Sequence, residues 1–297
     1  MSQSLALHLR GPRHDAAHFL AAHPVFARAS SRRAEDALTL IAVTRAVSPT
    51  IAECELTHLA REPIDVAKAV AEHAVYEETL RSCGATIVHA PAEPALPDAV
   101  FVEDTALVFA ETAVMTRPGA PVRRREVESM ANVLSAYRPL FVIQPPGTLD
   151  GGDVMVVGQK IYVGLSSRTN HEGFAQLDTH LSEWGYEVIP VPLTGCLHLK
   201  SAVTQVADNL LLINDRWVSP ECFGSMEMVT VAPGEPDAAN ALLIEAAVIY
   251  PTHHPATAER LDRAGVRVVP VPCGELAKAE SGVTCCSVVF EAAGRPS

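Results

Sequence analysis

The chain has 297 residues, 48% hydrophobic and 20% charged, which is enough apolar material to bury a core. Its 23 Lys+Arg against 35 Asp+Glu give a net charge of -12. That argues against nucleic acid as the main partner, because phosphates need cationic neutralisation, but not against a cationic small molecule, which a carboxylate-lined cleft would attract. No membrane span is expected: Ala241–Tyr250 is broken by Glu245, well short of the roughly 20 apolar residues a bilayer crossing needs.

Met1–Arg33 is rich in Arg, His, Ser and Ala, with Asp15 its only acid, and lacks the apolar run of a secretory signal. Residues 1–36 are expected to form an extension, a loose tail or an extra helix, ahead of a single domain over 37–297. The seven cysteines, Cys54, Cys83, Cys196, Cys222, Cys273, Cys285 and Cys286, are odd in number and contain no CxxC pair. They read as reduced thiols of a cytoplasmic protein rather than a disulfide framework or a zinc site.

Runs of Val, Ile and Leu bounded by Gly, Asn or Asp predict strands. A strand over Thr39–Thr44, a helix over Asp65–Arg81 and a strand over Thr86–His89 come first. A recurring unit then begins at Asp104: strands Thr105–Phe109 and Ala113–Thr116, a helix over Val122–Ala136, and the strand Leu140–Ile143. The second copy has strands Val154–Val157 and Ile161–Gly164, a helix near Glu172–Trp184, and the strand Glu187–Val191. The third has Ala202–Val206 and Asn209–Ile213. The fourth has Ala241–Ile244, Ala247–Tyr250, a helix near Ala256–Ala264, and the strand Val266–Val271. A last strand, Val283–Phe290, lacks a partner unless Thr39–Thr44 supplies it and closes a ring. A period near 50 residues predicts a radial or solenoid α/β array; an ordinary domain of alternating elements is the plainer reading. In a ring, the turns opening each copy would bring Asp104, Asp153, the His198–Thr204 segment and Cys285 to one cavity.

Asp98, Glu103 and Asp104 lie within LPDAVFVEDTALVF, an apolar context in which acids are costly to bury unless paired. Asp98 follows Pro97, so a turn is the simpler explanation for it. TLDGGD sets Asp150 and Asp153 around two glycines, which permit a close backbone approach or only a turn. His198, in LHLKS, is by itself as compatible with a packed or surface histidine as with a catalyst. Cys285, in GVTCCSVVF, is expected to open a strand with its thiol exposed, with Cys286 structural on the opposite side of the pleat. Arg123 and Arg168 could each clamp a carboxylate through the planar guanidinium fork. His253–His254 is not expected to bind a metal.

Taken together, LPDAVFVEDTALV, MTRPGAPVRRREVE, TLDGGDVMVVG, YVGLSSRTNHEG, LHLKS and GVTCCSV resemble the dimethylarginine dimethylaminohydrolases. This family belongs to the guanidino-modifying superfamily that also holds arginine deiminases and amidinotransferases. The resemblance runs from about Ala42 to Phe290. It implies a five-bladed ββαβ propeller (the pentein fold) with pseudo-fivefold symmetry and the active site in its central channel. It implies Cys285 as nucleophile, His198 as acid/base and Asp150 as the acid orienting it. Asp98, Glu103 and Asp104 correspond to the acidic cluster around the guanidinium and the histidine, Arg123 and Arg168 to the residues holding the substrate carboxylate, Leu56 to a mobile lid leucine, and Phe101 to an aromatic wall. Family members usually carry Asp then Gly five residues before the nucleophile; here Glu280 and Ser281 stand there, keeping the charge and lengthening its reach.

The implied reaction converts a methylated arginine to citrulline and a methylamine through a covalent thiouronium, with no cofactor and no metal, in a monomer or homodimer. Acids near a thiol raise its pKa. A bound guanidinium about 4 Å away offsets this by roughly 4 kcal/mol at an effective dielectric of about 20, so substrate itself would promote the thiolate. Arginine deiminase and amidinotransferase use the same parts, although a deiminase usually carries an inserted helical domain absent from this sequence. A non-catalytic binder of arginine analogues would not need the nucleophile, histidine and acids that this chain retains together.

Overall fold

The computed structural model describes residues 38–293; the expected N-terminal extension lies outside them. In chain order the elements are β1 (Leu38–Thr44), α1 (Val66–Ser82), β2 (Thr86–His89), β3 (Ala106–Val108), β4 (Ala113–Met115), α2 (Val127–Leu134), β5 (Leu140–Val142), β6 (Val154–Val157), β7 (Lys160–Leu165), α3 (His171–Ser182), β8 (Glu187–Pro192), α4 (Leu199–Ala202), β9 (Val203–Ala207), β10 (Leu210–Ile213), β11 (Glu227–Thr230), β12 (Leu242–Ile244), β13 (Ala247–Pro251), α5 (Pro255–Arg263), β14 (Val268–Val271), α6 (Gly274–Ala277) and β15 (Val288–Ala293).

The strands form five three-stranded sheets of one topology: β3-β4-β5, β6-β7-β8, β9-β10-β11, β12-β13-β14 and β15-β1-β2. In each, the first pair is antiparallel and the second parallel. The first and last strands of the described chain share a sheet, with Leu38 opposite Ala293 and Val43 opposite Val288. The N-terminal strand thus supplies the missing partner, as the sequence predicted.

Each central strand is buried on both faces, which explains its unbroken apolar run. In β13, Val248 and Tyr250 enter one apolar cluster and Ile249 another, and all three are 0% exposed. Such burial contributes about 2 kcal/mol for each apolar side chain. Five clusters arise in this way, each shared by two consecutive sheets. Val43 and Phe290 meet Met115; Val114 meets Val163; Tyr162 meets Leu211; Leu212 meets Val248; Ile249 meets Ala42.

Three local differences from the sequence reading have physical causes. The helix expected over Val122–Ala136 begins as a tight 3-10 segment, Pro121–Glu126, whose Arg123 is drawn inward by buried acceptors, and becomes α-helical only at Val127. Strand β14 starts two residues late because Gly265 (φ 81) caps α5 and the Val266 N–H bonds Leu261 O. Cys285 does not open a strand: Val283–Cys286 is a 3-10 turn, pinned where Asn240 accepts the Thr284 N–H and donates to the Thr284 hydroxyl. Strand β11 has no counterpart in the sequence reading, since Glu227 and Thr230 leave only Met228 and Val229 as an apolar pair within it. Among the described residues no helix is long and apolar enough to cross a membrane.

Candidate active site

Four of the five sheets are entered through a short helical turn, and these turns carry the chemistry. They are Val102–Thr105 before β3, Gly151–Asp153 before β6, α4 before β9, and Val283–Cys286 before β15. One cavity is lined by Asp98, Phe101, Asp104, Arg123, Arg168, His198, Glu280 and Cys285, with Glu55, Leu197, Ala279 and Ser281 completing the wall. Eight of the eleven candidate residues therefore share one cavity. Asp150, Glu103 and Leu56 lie outside the lining.

Asp150 is fully buried behind His198, and its two carboxylate oxygens have separate tasks. Oδ2 meets His198 Nε2 at 3.0 Å, and Oδ1 accepts the Gly119 N–H at 2.8 Å. On the other edge of the ring, Asp104 Oδ1 lies 3.9 Å from Nδ1 and accepts the Gly152 N–H at 2.9 Å. Gly152 is needed for this close approach, since a Cβ there would lie 2.6 Å from His198 Nδ1 and 2.9 Å from Asp104 Oδ1. Asp153, which the sequence placed beside the cavity, stands behind it. It accepts the Leu199 N–H (3.0 Å) and the hydroxyls of Ser166 and Thr169 (2.6 Å each), fixing the residue after His198.

Glu103 turns away from the cavity. Its carboxylate is held by Lys200 Nζ (2.6 Å) and the Thr284 hydroxyl (2.8 Å), so three of the site-bearing turns are tied together. Lys200 was not singled out from the sequence; its only signal was its place two residues after His198, and its partner lies 97 residues away. Leu56 is half-buried and packs on the core cluster that includes Phe101 and Cys285.

The two arginines differ in how committed they are. Arg123 is held at all three nitrogens, by Asp104 (2.5 Å), by Glu126, and by the carbonyls of Asp98 and Phe101. Arg168 donates from Nη2 to Thr57 Oγ1 (3.0 Å), and its Nη1 stands 4.0 Å from Asp150.

The electrostatics follow from burial and these pairings. Burial disfavours a charged His198, but Asp104, Asp150 and Asp153 outweigh it and raise the imidazole to about 9. Burial likewise opposes ionisation of Asp104, yet His198 and Arg123 bring it down to about 2. Asp153 is lifted to about 6, chiefly by burial. Burial, then the Glu103 and Asp104 carboxylates, push the Cys285 thiol far above the usual range. At neutral pH the site therefore holds an imidazolium and a neutral thiol. Asp104, Asp150 and His198 offer ligand atoms within 4.8 Å of one another; a metal ion there would have to compete with Arg123 for Asp104 and with the proton on His198.

A buried thiol, an imidazole clamped between carboxylates and an acid-lined cavity suit cysteine-dependent chemistry on a cationic group. The family profile described as N,N dimethylarginine dimethylhydrolase, eukaryotic, matches residues 56–221. The N(G),N(G)-dimethylarginine dimethylaminohydrolase of Pseudomonas aeruginosa is 37% identical over 228 residues, 76% of this chain and 90% of that protein. Its namesake in Streptomyces coelicolor is 37% identical over 249 residues, 83% of this chain and 95% of that protein. The crystal structure of a cysteine-to-serine mutant of the Pseudomonas aeruginosa enzyme, complexed with citrulline, superposes with a TM-score of 0.80 at 33% identity, covering 85% of this chain and 100% of that one. The N-terminal domain of a cyanobacterial arginine dihydrolase shares the fold at a TM-score of 0.77 and 17% identity, over 84% of this chain and 97% of that one. The chain belongs to the dimethylarginine dimethylaminohydrolase family.

Proposed function

We propose that this chain hydrolyses N-ω-methylated arginine to citrulline and methylamine or dimethylamine, through a covalent intermediate on Cys285. The observation that carries this reading is the single cavity into which Cys285, His198, Asp98 and Asp104 all face. Asp104 and Asp98 receive the substrate guanidinium and fix its plane. Arg168, the less committed arginine, takes the substrate carboxylate; Arg123 chiefly holds Asp104 in place. Phe101 forms a wall of the cavity, and Leu56 anchors the segment over it. Glu103 supports the floor rather than touching substrate.

The entering cation offsets the carboxylates that keep Cys285 neutral, and the thiol proton leaves to solvent. The thiolate adds to the guanidinium carbon. His198, already protonated, gives its proton to the departing amine, since an amide anion cannot leave. The C–N bond breaks and a thiouronium remains on sulfur. Neutral His198 then takes a proton from water, the resulting hydroxide adds to the same carbon, and the C–S bond breaks to give citrulline and the free thiol. Asp150 keeps the ring oriented and its charge compensated throughout. We also infer that the five sheets close as a five-bladed propeller, which the five clusters joining consecutive sheets support.

The test is a product assay on the purified chain with asymmetric dimethylarginine, monomethylarginine and arginine, beside Cys285→Ser. Citrulline with the methylated amine, lost in the variant, is the expected result. Turnover of arginine alone, with release of ammonia, would favour a deiminase; no turnover of any of the three would refute hydrolysis.

A further inference from the structure

Residues 55–59 run past the cavity without regular secondary structure: Glu55 lines the cavity, and His58 and Leu59 line an adjoining pocket. Apolar burial does not hold this segment, because Thr57 and His58 are exposed and Leu59 is 52% exposed; only Leu56 reaches the core. Nor does backbone pairing hold it. Among the described residues, the N–H groups of Glu55, Thr57, His58 and Leu59 go to carboxylates instead. Glu55 donates to Asp98 (3.1 and 3.3 Å), Thr57 donates to Glu280 Oε2 (2.8 Å), and His58 and Leu59 both donate to Glu280 Oε1. Three successive N–H groups on one carboxylate make an anion nest, and hydrogen bonds to an ionised acceptor are roughly twice as strong as neutral ones.

Two further features mark Glu280. Its backbone is left-handed (φ 55), a conformation that disfavours any residue but glycine. Its side chain also lines both the catalytic cavity and the adjoining pocket, so it stands in the wall between them. The segment that it grips returns the contact to the site, because Thr57 Oγ1 accepts from Arg168 Nη2 at 3.0 Å.

We infer that Glu280 is a positioning residue that latches residues 57–59 over the cavity and so sets Arg168 for the substrate carboxylate. The extra methylene of glutamate over aspartate gives the carboxylate its reach to three amides. A segment ordered before binding spares the substrate the cost of ordering it, so the latch acts on KM more than on kcat. This kinetic consequence rests on the proposed hydrolysis; the latch itself does not.

The experiment is amide hydrogen exchange on the full ligand-free chain, unaltered and as Glu280→Gln and Glu280→Gly. Glycine suits the left-handed backbone, so its effect is not misfolding, and unchanged exchange across α1 checks this in both variants. The Thr57, His58 and Leu59 amides, slow in the unaltered chain, should exchange at least about tenfold faster in both variants, as expected when a charged acceptor is lost. Steady-state kinetics should show KM rising about tenfold in Glu280→Gly with kcat within about twofold. Equal exchange in all three chains, or unprotected amides in the unaltered chain, overturns the latch. A fall in kcat at unchanged KM overturns the positioning role. Failure of the unaltered chain to turn over dimethylarginine would instead sink the proposed function and leave the exchange result standing.

Discussion

Asp150→Asn tests how the site keeps His198 protonated. In the native chain both carboxylate oxygens are used, one by the Gly119 N–H (2.8 Å) and one by His198 Nε2 (3.0 Å). An amide has a single acceptor oxygen. If it stays with Gly119, an NH2 group faces Nε2, and the imidazole must be neutral to accept from it. Loss of the charge and reversal of the hydrogen bond both lower the His198 pKa, now about 9. Asp104 and Asp153 remain, so we expect a fall of roughly 2 units, equivalent to ~2.7 kcal/mol. With His198 as the proposed acid, the alkaline limb of the kcat profile should move from about pH 9 to about pH 7. Stability should follow the same group. A histidine raised from 6.5 to about 9 on folding contributes stability that is complete below pH 6.5 and lost as the pH rises through about 9. The native loss across that window is ~3 kcal/mol, and the variant should lose less than ~1 kcal/mol. The assays are the pH dependence of kcat for citrulline release, an NMR titration of His198, and urea unfolding at pH 6.5 and 9.5. A His198 titration unmoved by the substitution would refute Asp150 as one of the groups that hold its charge, beside Asp104 and Asp153.

Lys200→Met leaves the buried Glu103 carboxylate with only the Thr284 hydroxyl, and should cost about 3 kcal/mol in denaturant unfolding; adding Glu103→Gln should recover much of it, and no recovery would mean the pair is not the cause. Gly152→Ala pushes a methyl against His198 Nδ1 and Asp104 Oδ1, so kcat should fall about 100-fold for a ring displacement of about 1 Å, with binding of citrulline largely kept in calorimetry. Because burial and two carboxylates hold Cys285 as a thiol, neutral iodoacetamide should alkylate it slowly at pH 7 while a chloroacetamidine cation reacts much faster. Rapid labelling by both reagents would contradict a thiol pKa raised in the free enzyme.

Much of the site was legible because its residues stand at the starts of apolar strands. Asp104, His198 and Cys285 each sit in a short turn entering the first strand of a sheet, so recognising the repeat was enough to bring them to one end. Pairings across long separations were not legible. Glu103 reads as one more acid in a cluster until Lys200, 97 residues on, and Thr284, 181 residues on, claim its carboxylate. Arg123 reads as a free clamp until Asp104, Glu126 and two carbonyls occupy it.

Sequence by itself determined most of the strand positions, the roughly 50-residue repeat, the closure of the last sheet by the N-terminal strand, and the family. These depend on local periodicity and on strings of adjacent residues, which a chain displays whatever its partners. Tertiary structure alone decided which acids line the cavity, which groups hold Arg123, and that Glu280 takes the backbone N–H groups of residues 57–59. Those outcomes are choices among competing charged partners, and a buried charge takes whichever counter-group the folded chain brings within about 3 Å, because leaving it unpaired costs more than any local preference can offset.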